Sequence, residues 1–131
     1  MNYLVDSHYI ADYLKGRSLA VDLLHTLLQE GIAISIITFA EVYEGIYYGH
    51  DSTRYTAIFQ QFLRGVSLLS ITRSVAKRYA LIRGALAQQG QLIDQSDLFI
   101  AATAIEHNLT LVTRNLKDFG RIPSLKLYKT G

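Results

Sequence analysis

The chain has 131 residues, of which 50% are hydrophobic and 18% are charged. This balance is typical of one well-packed globular domain, which we expect to span residues 1–131, and it excludes an intrinsically disordered chain. Because the sequence has no cysteine, disulfides and thiolate metal sites are excluded, and any bound metal needs oxygen or imidazole ligands. The net charge of +2 is too small to indicate nucleic-acid binding by itself.

The hydrophobic segments are too short for a membrane protein. The longest apolar runs, residues 32–37 and 98–102, fall far short of the roughly 20 residues that a bilayer-spanning helix needs. A leader peptide opens with a positively charged and then an apolar segment, whereas residues 2–5 of this chain already predict a strand. We therefore expect a cytoplasmic protein that does not cross a membrane.

The first part of the chain alternates short apolar strands with helices. Residues 2–5 predict a strand, and apolar side chains at helical spacing predict helices over residues 7–16 and 18–30. Residues 32–37 predict a second buried strand. Thr38 and Glu41 match the capping-box pattern, which predicts that the next helix begins there and stops at Gly49.

The same alternation continues to the end of the chain. Helices are predicted over residues 52–64, 73–89 and 96–107, and strands over residues 66–71, 109–113 and 125–128. Strands that alternate with helices predict a parallel sheet covered on both faces. The expected fold class is therefore a three-layer α/β/α arrangement.

Three acidic residues follow or precede these strands at comparable positions. Asp6 closes the first strand, Glu41 lies in the first turn of the helix after the second strand, and Asp97 opens the helix before the fourth. In open α/β sheets the functional crevice lies beyond the carboxyl ends of the strands, where we expect these side chains to meet. Clustered carboxylates repel one another unless a cation is present, and oxygen ligands favour Mg²⁺ or Mn²⁺.

Each of these acids also has a purely structural explanation. Asp6 can cap the first helix, Glu41 can complete the capping box, and Asp97 can interact with the positive end of its helix. For each residue taken singly, the structural explanation stands beside the functional one, because acidic residues are common at helix starts. Their expected convergence at one sheet edge favours the metal site.

At these residues the chain resembles the PIN-domain family, specifically the VapC-type ribonuclease toxins of toxin–antitoxin pairs. The resemblance extends almost end to end and rests on YLVDS at 3–7, TFAEV at 38–42, and above all DLFIAATA at 97–104 with LTLVTRNLKDF at 109–119. It implies a parallel five-stranded sheet between helices, with strand order 3-2-1-4-5. The implied activity is metal-dependent cleavage of RNA by an endoribonuclease.

The resemblance also assigns roles to individual residues. It implies that the three acids above are catalytic metal-site residues and that Thr113 is a site-organising hydroxyl. The fourth acidic position of many family members falls on Asn115, which is neutral here, so its place among the metal ligands stays open. Asp94 and Asp118 are the residues that would compensate, although helix capping and loop support also explain them.

RNA and protein partners follow from the same resemblance. The basic residues expected to hold RNA phosphates are Arg114 and Lys117 beside the site, with Lys15 and Arg17 after the first helix. A VapB-like antitoxin is expected to dock along the first helices and block the acidic pocket, and a homodimer is implied. Groove residues for that antitoxin are Ile10, Tyr13 and Leu14, for which an ordinary core position is the alternative.

Other functions were weighed against this one. A phosphatase of the haloacid-dehalogenase type needs Asp-x-Asp after the first strand, and Asp6-Ser7-His8 lacks the second carboxylate. A receiver-type signalling domain needs an acidic residue at the end of its third strand, where this sequence has Ile71-Thr72. The remaining alternative is a catalytically inactive PIN-like module that binds RNA or protein, and the neutral Asn115 is the feature that favours it.

Overall fold

A five-stranded parallel sheet organises residues 1–129, the part of the chain that the computed structural model describes. The strand order is β3-β2-β1-β4-β5 and every neighbouring pair is parallel. This confirms the predicted fold class, including the strand order that the family resemblance implied. The strands are β1 (Tyr3–Val5), β2 (Ile32–Ser35), β3 (Val66–Leu69), β4 (Thr110–Val112) and β5 (Lys126–Leu127).

Helices connect the strands and cover both faces of the sheet. They are α1 (Ser7–Leu14), α2 (Ser18–Leu28), α3 (Ile36–Tyr48), α4 (Ser52–Leu63), α5 (Arg73–Gln88), α6 (Gln95–Glu106) and α7 (Leu116–Phe119). Six of them were predicted within a few residues of these bounds. The seventh helix, α7, was not predicted, because its four residues are too few to show a helical period. Within the described part of the chain, every helix is too short or too polar to span a bilayer.

The central strands are buried on both faces, which explains their continuous apolar runs. Alternate side chains of a strand point to opposite faces, so Ile32 and Ile34 of β2 join one core cluster while Ala33 joins the other. The first cluster packs beneath α1 to α4 and includes Phe59, and the second packs beneath α5 and α6 and includes Leu98. Full burial of each such large side chain contributes about 1.5–3 kcal/mol, so the sheet is a rigid support for whatever lies at its edge.

The start of α3 differs from the prediction. Ser35 caps this helix, since its Oγ accepts a hydrogen bond of 3.0 Å from the amide of Ile37. The predicted capping box at Thr38 is therefore wrong: Thr38 is fully buried inside the helix, and its hydroxyl has no hydrogen-bond partner among residues 1–129. Glu41 consequently lies in the second turn. Apolar residues lie on both sides of Ser35, so their hydrophobicity did not mark the boundary, and the polar Ser35 was the local signal that the prediction overlooked.

Candidate functional site

Asp6 is held in place by hydrogen bonds to both of its carboxylate oxygens. It lies at the end of β1, is only 3% exposed, and caps α1. Its Oδ1 accepts from the amide of Ser7 at 2.7 Å and lies 3.3 Å from the Ser7 hydroxyl. Its Oδ2 accepts from the hydroxyl of Thr113, which follows β4, at 2.7 Å. Two neighbouring parallel strands therefore meet at this carboxylate.

Glu41 reaches the same place from α3. The Ser7 hydroxyl donates to its Oε1 at 3.0 Å, so Ser7 lies between the carboxylates of Asp6 and Glu41. Burial raises the pKa of Glu41, and the charges of Asp6 and Asp94 raise it further, whereas the Ser7 hydrogen bond and the charge of His8 lower it. On balance the pKa is raised, so Glu41 binds a proton more readily here than a glutamate does in water. This is the expected result when carboxylates are crowded together.

Asp97 completes the acidic group from the first turn of α6. Burial and, to a smaller extent, the negative charges of Asp6, Asp94, Glu41 and Asp118 together raise the pKa of its carboxyl to about 6. All of these causes act in one direction, and no hydrogen bond from residues 1–129 offsets them. The structure thus brings the three predicted acids into one electrostatic neighbourhood. A cation placed there would relieve the repulsion.

The donor chemistry of this neighbourhood fits a hard divalent ion. All its candidate ligands are carboxylate oxygens, which Mg²⁺ and Mn²⁺ prefer, and Mg²⁺ commonly keeps several waters while it contacts only one or two carboxylates. In the described residues, no three Asp, Glu or His side chains stand close enough together to form a ready-made ligand set. A bound ion would therefore use water, or a small movement of one carboxylate, to complete its coordination.

The loop after β4 orders the remaining polar residues. The Thr113 hydroxyl, which donates to Asp6, also accepts from the amide of Asn115 at 3.1 Å. The Asn115 side chain in turn donates to Asp118 Oδ2 at 3.1 Å and accepts from the amide of Asp118 at 3.4 Å. Asn115 is thus engaged in shaping this loop, where it caps α7. Oδ1 of Asp118 also lies 3.7 Å from a guanidinium nitrogen of Arg121.

Asp94 has a different environment from Asp118. It occupies the N-cap position of α6, yet its side chain makes no capping hydrogen bond, and the residue is exposed. Its charge nevertheless contributes to the raised pKa of both Asp97 and Glu41. Asp94 therefore holds the N-cap position of α6 without the side-chain hydrogen bond that the helix-capping explanation requires.

The predicted basic residues divide into two groups. Lys15 and Lys117 are exposed, and Lys15 borders the groove described below. Arg114 and Arg17 instead pair with Asp12, a buried carboxylate on α1 that the sequence analysis missed. Asp12 is five residues from Arg17 and far from Arg114 along the chain, so no helical spacing could have revealed the cluster.

A groove of about 600 Å³ lies between α1 and α3, with Glu41 on its wall. Its apolar lining includes Ala11, Leu14, Val42 and Ile46, and Glu44 adds a second acidic side chain. Of the residues predicted to contact an antitoxin, Leu14 lines this groove. The core alternative holds for Ile10, which is fully buried and has no surface to offer a partner.

Tyr13, the third residue predicted to contact an antitoxin, lies outside this groove lining. It is half-buried, and its ring packs against Phe62 at a centroid distance of 4.9 Å. Its hydroxyl lies 3.4 Å from Nε2 of His25 on α2. Tyr13 therefore joins α1 to α2 and α4, and only part of its surface is accessible to a partner.

Comparison with known proteins places these features in a family. The model of the PIN domain family matches residues 3–125. A curated relative, ribonuclease VapC1 of Methanocaldococcus jannaschii, is 36% identical over 95% of this chain and 85% of its own length. Ribonuclease VapC2 of Haemophilus influenzae is 29% identical over 96% of both chains. A solved structure, VapBC2 from Rickettsia felis bound to a DNA fragment from its promoter, superposes with a TM-score of 0.90 at 30% identity, covering 100% of both chains.

Proposed function

The chain belongs to the PIN domain family, and we propose that it is a metal-dependent endoribonuclease that acts as the toxin of a type II toxin–antitoxin pair. The observation that carries the proposal is the shared electrostatic neighbourhood of Asp6, Glu41 and Asp97 at the carboxyl end of the sheet, where burial and neighbouring negative charges raise the pKa of Asp97 to about 6. The curated relatives named ribonuclease VapC support the RNA substrate. The proposed cellular location is the cytoplasm, where RNA is available.

The residues of the site have distinct parts in this chemistry. Mg²⁺ or Mn²⁺, when bound, would activate a water and stabilise the negative charge that develops on the cleaved phosphodiester. Asp6, already fixed on both oxygens, would be the central ligand. Asp97 would be a second ligand or would hold a water, and Glu41 would act directly or through a water. Lys15 and Lys117 would hold RNA phosphates by their charge.

The proposed protein partner is a VapB-like antitoxin, and the solved VapBC complex supports it. The groove between α1 and α3 has the apolar lining that a docking segment needs, and Glu41 on its wall joins it to the acidic site. An antitoxin segment seated there would cover the site. We also propose a homodimer, which the family resemblance implies.

The antitoxin proposal can be tested at Ala11 in the groove lining. Ala11→Trp would fill the groove, so it should weaken binding to the proposed VapB-like antitoxin, as measured by calorimetry. The control is Ala76→Trp on an exposed position of α5, which should leave binding unchanged. Equal binding by both variants would show that the antitoxin docks elsewhere.

Cleavage itself is tested with purified protein, labelled RNA pools and Mg²⁺. The pools are transfer, ribosomal and messenger RNA, and the variants are Asp6→Asn and the control Asp22→Asn, which makes the same change on the exposed face of α2. We expect cleavage by the native protein and by Asp22→Asn, and none by Asp6→Asn or in EDTA. Cleavage that survives EDTA would contradict the metal mechanism. Binding of RNA without cleavage would establish instead the inactive module that the neutral Asn115 favours.

A further inference from the structure

Two side-chain contacts join the loop after β4 to α1. At the start of α1, the Thr113 hydroxyl donates to Asp6 at 2.7 Å. Six residues along the helix, the guanidinium of Arg114 forms an ion pair with Asp12. Consecutive residues of the loop are therefore attached to both ends of the same short helix. The ion pair between Arg114 and Asp12 therefore lies next to the residue that carries the Thr113 hydroxyl.

The second attachment has the features of a rigid contact. The Asp12 side chain is only 9% exposed, so leaving its charge without a partner would carry a large desolvation cost. Arg114 also lies over the ring of Tyr9, with its guanidinium carbon 5.3 Å from the ring centroid. An ion pair on one side and a cation–π contact on the other leave Arg114 few orientations. The backbone of the loop is correspondingly restrained.

We propose that Asp12 is a positioning residue, which acts through Arg114 to hold the loop after β4 so that the Thr113 hydroxyl stays on Asp6. Arg17 also contacts Asp12, at 3.1 Å, but it lies just before α2 and carries no part of this loop. Arg17 is therefore not needed for the positioning effect. The consequence for RNA cleavage rests on the proposed function, whereas the position of the Thr113 hydroxyl does not.

Direct phosphate binding by Arg114 is the competing role. The Arg114 side chain is 52% exposed, so part of the guanidinium is open to solvent. In that role Asp12 would weaken RNA binding by neutralising the arginine, and its removal would tighten it. Positioning predicts the opposite kind of defect, because loss of Asp12 would lower kcat and leave KM nearly unchanged.

The test compares Asp12→Asn, Arg114→Gln and the double variant with the native protein. The matched control is Glu106→Gln, which makes a carboxylate-to-amide change at a 2.7 Å ion pair with Arg78 between α5 and α6. The first readout is the NMR shift of the Thr113 methyl group in metal-free protein. We expect both single variants to move this signal, the double variant to move it no further, and Glu106→Gln to leave it in place. Arg17→Gln should also leave the signal in place.

The second readout is function. Asp12→Asn and Arg114→Gln should each lower kcat by about 10-fold and weaken Mn²⁺ binding, as loss of residues that orient a metal ligand commonly does, with KM for RNA altered less than about twofold. A higher KM for Arg114→Gln with a lower one for Asp12→Asn would overturn the proposal in favour of phosphate binding. An unmoved Thr113 methyl signal in Arg114→Gln, whose half-exposed site favours correct folding, would overturn it as well.

The two proposals fail in different ways. If the native protein cleaves no RNA, the proposed function fails, while the metal-free methyl signal still decides whether Asp12 and Arg114 set the position of Thr113. If RNA is cleaved and the methyl signal does not respond, only the positioning role fails. Thermal melting of every variant verifies that a lost signal does not reflect unfolding.

Discussion

The end of β1 and the start of α6 supply carboxylates to the same site in opposite ways. At the end of β1, Asp6 accepts hydrogen bonds on both oxygens, from Ser7 and from Thr113. At the start of α6, Asp97 is subject only to burial and negative charges, which raise the pKa of its carboxyl to about 6. The folded chain holds one carboxylate in place by hydrogen bonds, and it destabilises the charged form of the other.

This difference indicates a division of labour. A carboxylate fixed by two neighbouring strands provides a defined position for a ligand, since its geometry is already determined. A carboxylate under repulsion gains the most when a cation arrives, because the cation cancels charges that nothing else offsets. The predictions below test whether Asp6 and its partners determine geometry while Asp97 determines the gain from the metal.

The largest effect is expected from Asp97→Asn. Removing a proposed ligand should lower RNA cleavage by more than about 100-fold, beyond the range found for residues that only orient a ligand. The same change should stabilise the metal-free protein at pH 7.5, because it removes a repelled charge. Single-turnover cleavage and thermal melting in EDTA measure the two effects. A variant that loses activity and stability together would show that Asp97 is structural.

A smaller effect is expected from Thr113→Val, which keeps the shape of the side chain but removes the hydrogen bond to Asp6. The buried Oδ2 of Asp6 would lose its partner, at a cost of about 1–3 kcal/mol in unfolding free energy. Cleavage should fall by about 10–100-fold. Denaturant unfolding and kcat measure these changes, and Thr113→Ser is the control that should restore both. No rescue by serine would mean that the methyl group, and not the hydroxyl, matters.

Ser7→Ala should have a milder effect. It removes the hydroxyl between Asp6 and Glu41 but leaves the amide of Ser7 bonded to Asp6. Since that hydroxyl lowers the pKa of Glu41, its loss should raise this pKa further and shift the acid limb of the pH–rate profile to higher pH. We expect cleavage to fall only several-fold, less than the roughly 10-fold typical when a hydrogen bond that orients a metal ligand is lost. If the acid limb does not move, protonation of Glu41 does not control the rate of cleavage.

The smallest effect is the pH dependence of stability in metal-free protein. The pKa of Asp97 rises from 3.8 to about 6 on folding, so the folded state holds this proton more strongly. Its contribution to stability is complete below about pH 3.8 and is lost as pH rises through about 6. Between about pH 5 and pH 7.5 the melting temperature should fall less in Asp97→Asn than in the native protein. Mg²⁺ should raise the melting temperature more at about pH 7.5 than at about pH 5. An equal rise at the two pH values would contradict the assignment of the raised pKa to Asp97.

The predicted start of α3 at Thr38 was wrong. Thr38 and Glu41 have capping-box spacing, yet Ser35 caps the helix and Thr38 is buried in it. The apolar run from residue 32 to 37 covers the end of a strand and the start of a helix, and both are buried or half-buried. The hydrophobicity of this run did not separate them, although Ser35 at the boundary is a residue type that commonly caps helices. The prediction that Glu41 reaches the acidic site did not depend on this boundary, because the helix still begins at the carboxyl end of β2.

The ion pairs of Asp12 could not be predicted from local sequence pattern. The sequence predicted Arg114 and Arg17 as RNA contacts because they are basic and lie near the site. The structure pairs both with a buried carboxylate on α1. Ion pairs between residues that are remote in the chain arise from the packing of α1 against the loop after β4. No spacing rule reports such a contact.

The sequence by itself determined the α/β class, the succession of elements and the three acidic residues, since hydrophobic period and strand-end position are local properties that survive in the chain order. Only the tertiary structure decided which atoms meet. It placed Thr113 on Asp6, Ser7 between Asp6 and Glu41, and four negative charges around Asp97. Hydrogen bonds and pKa shifts depend on distances of a few ångströms, and folding sets those distances between segments that the chain order keeps far apart.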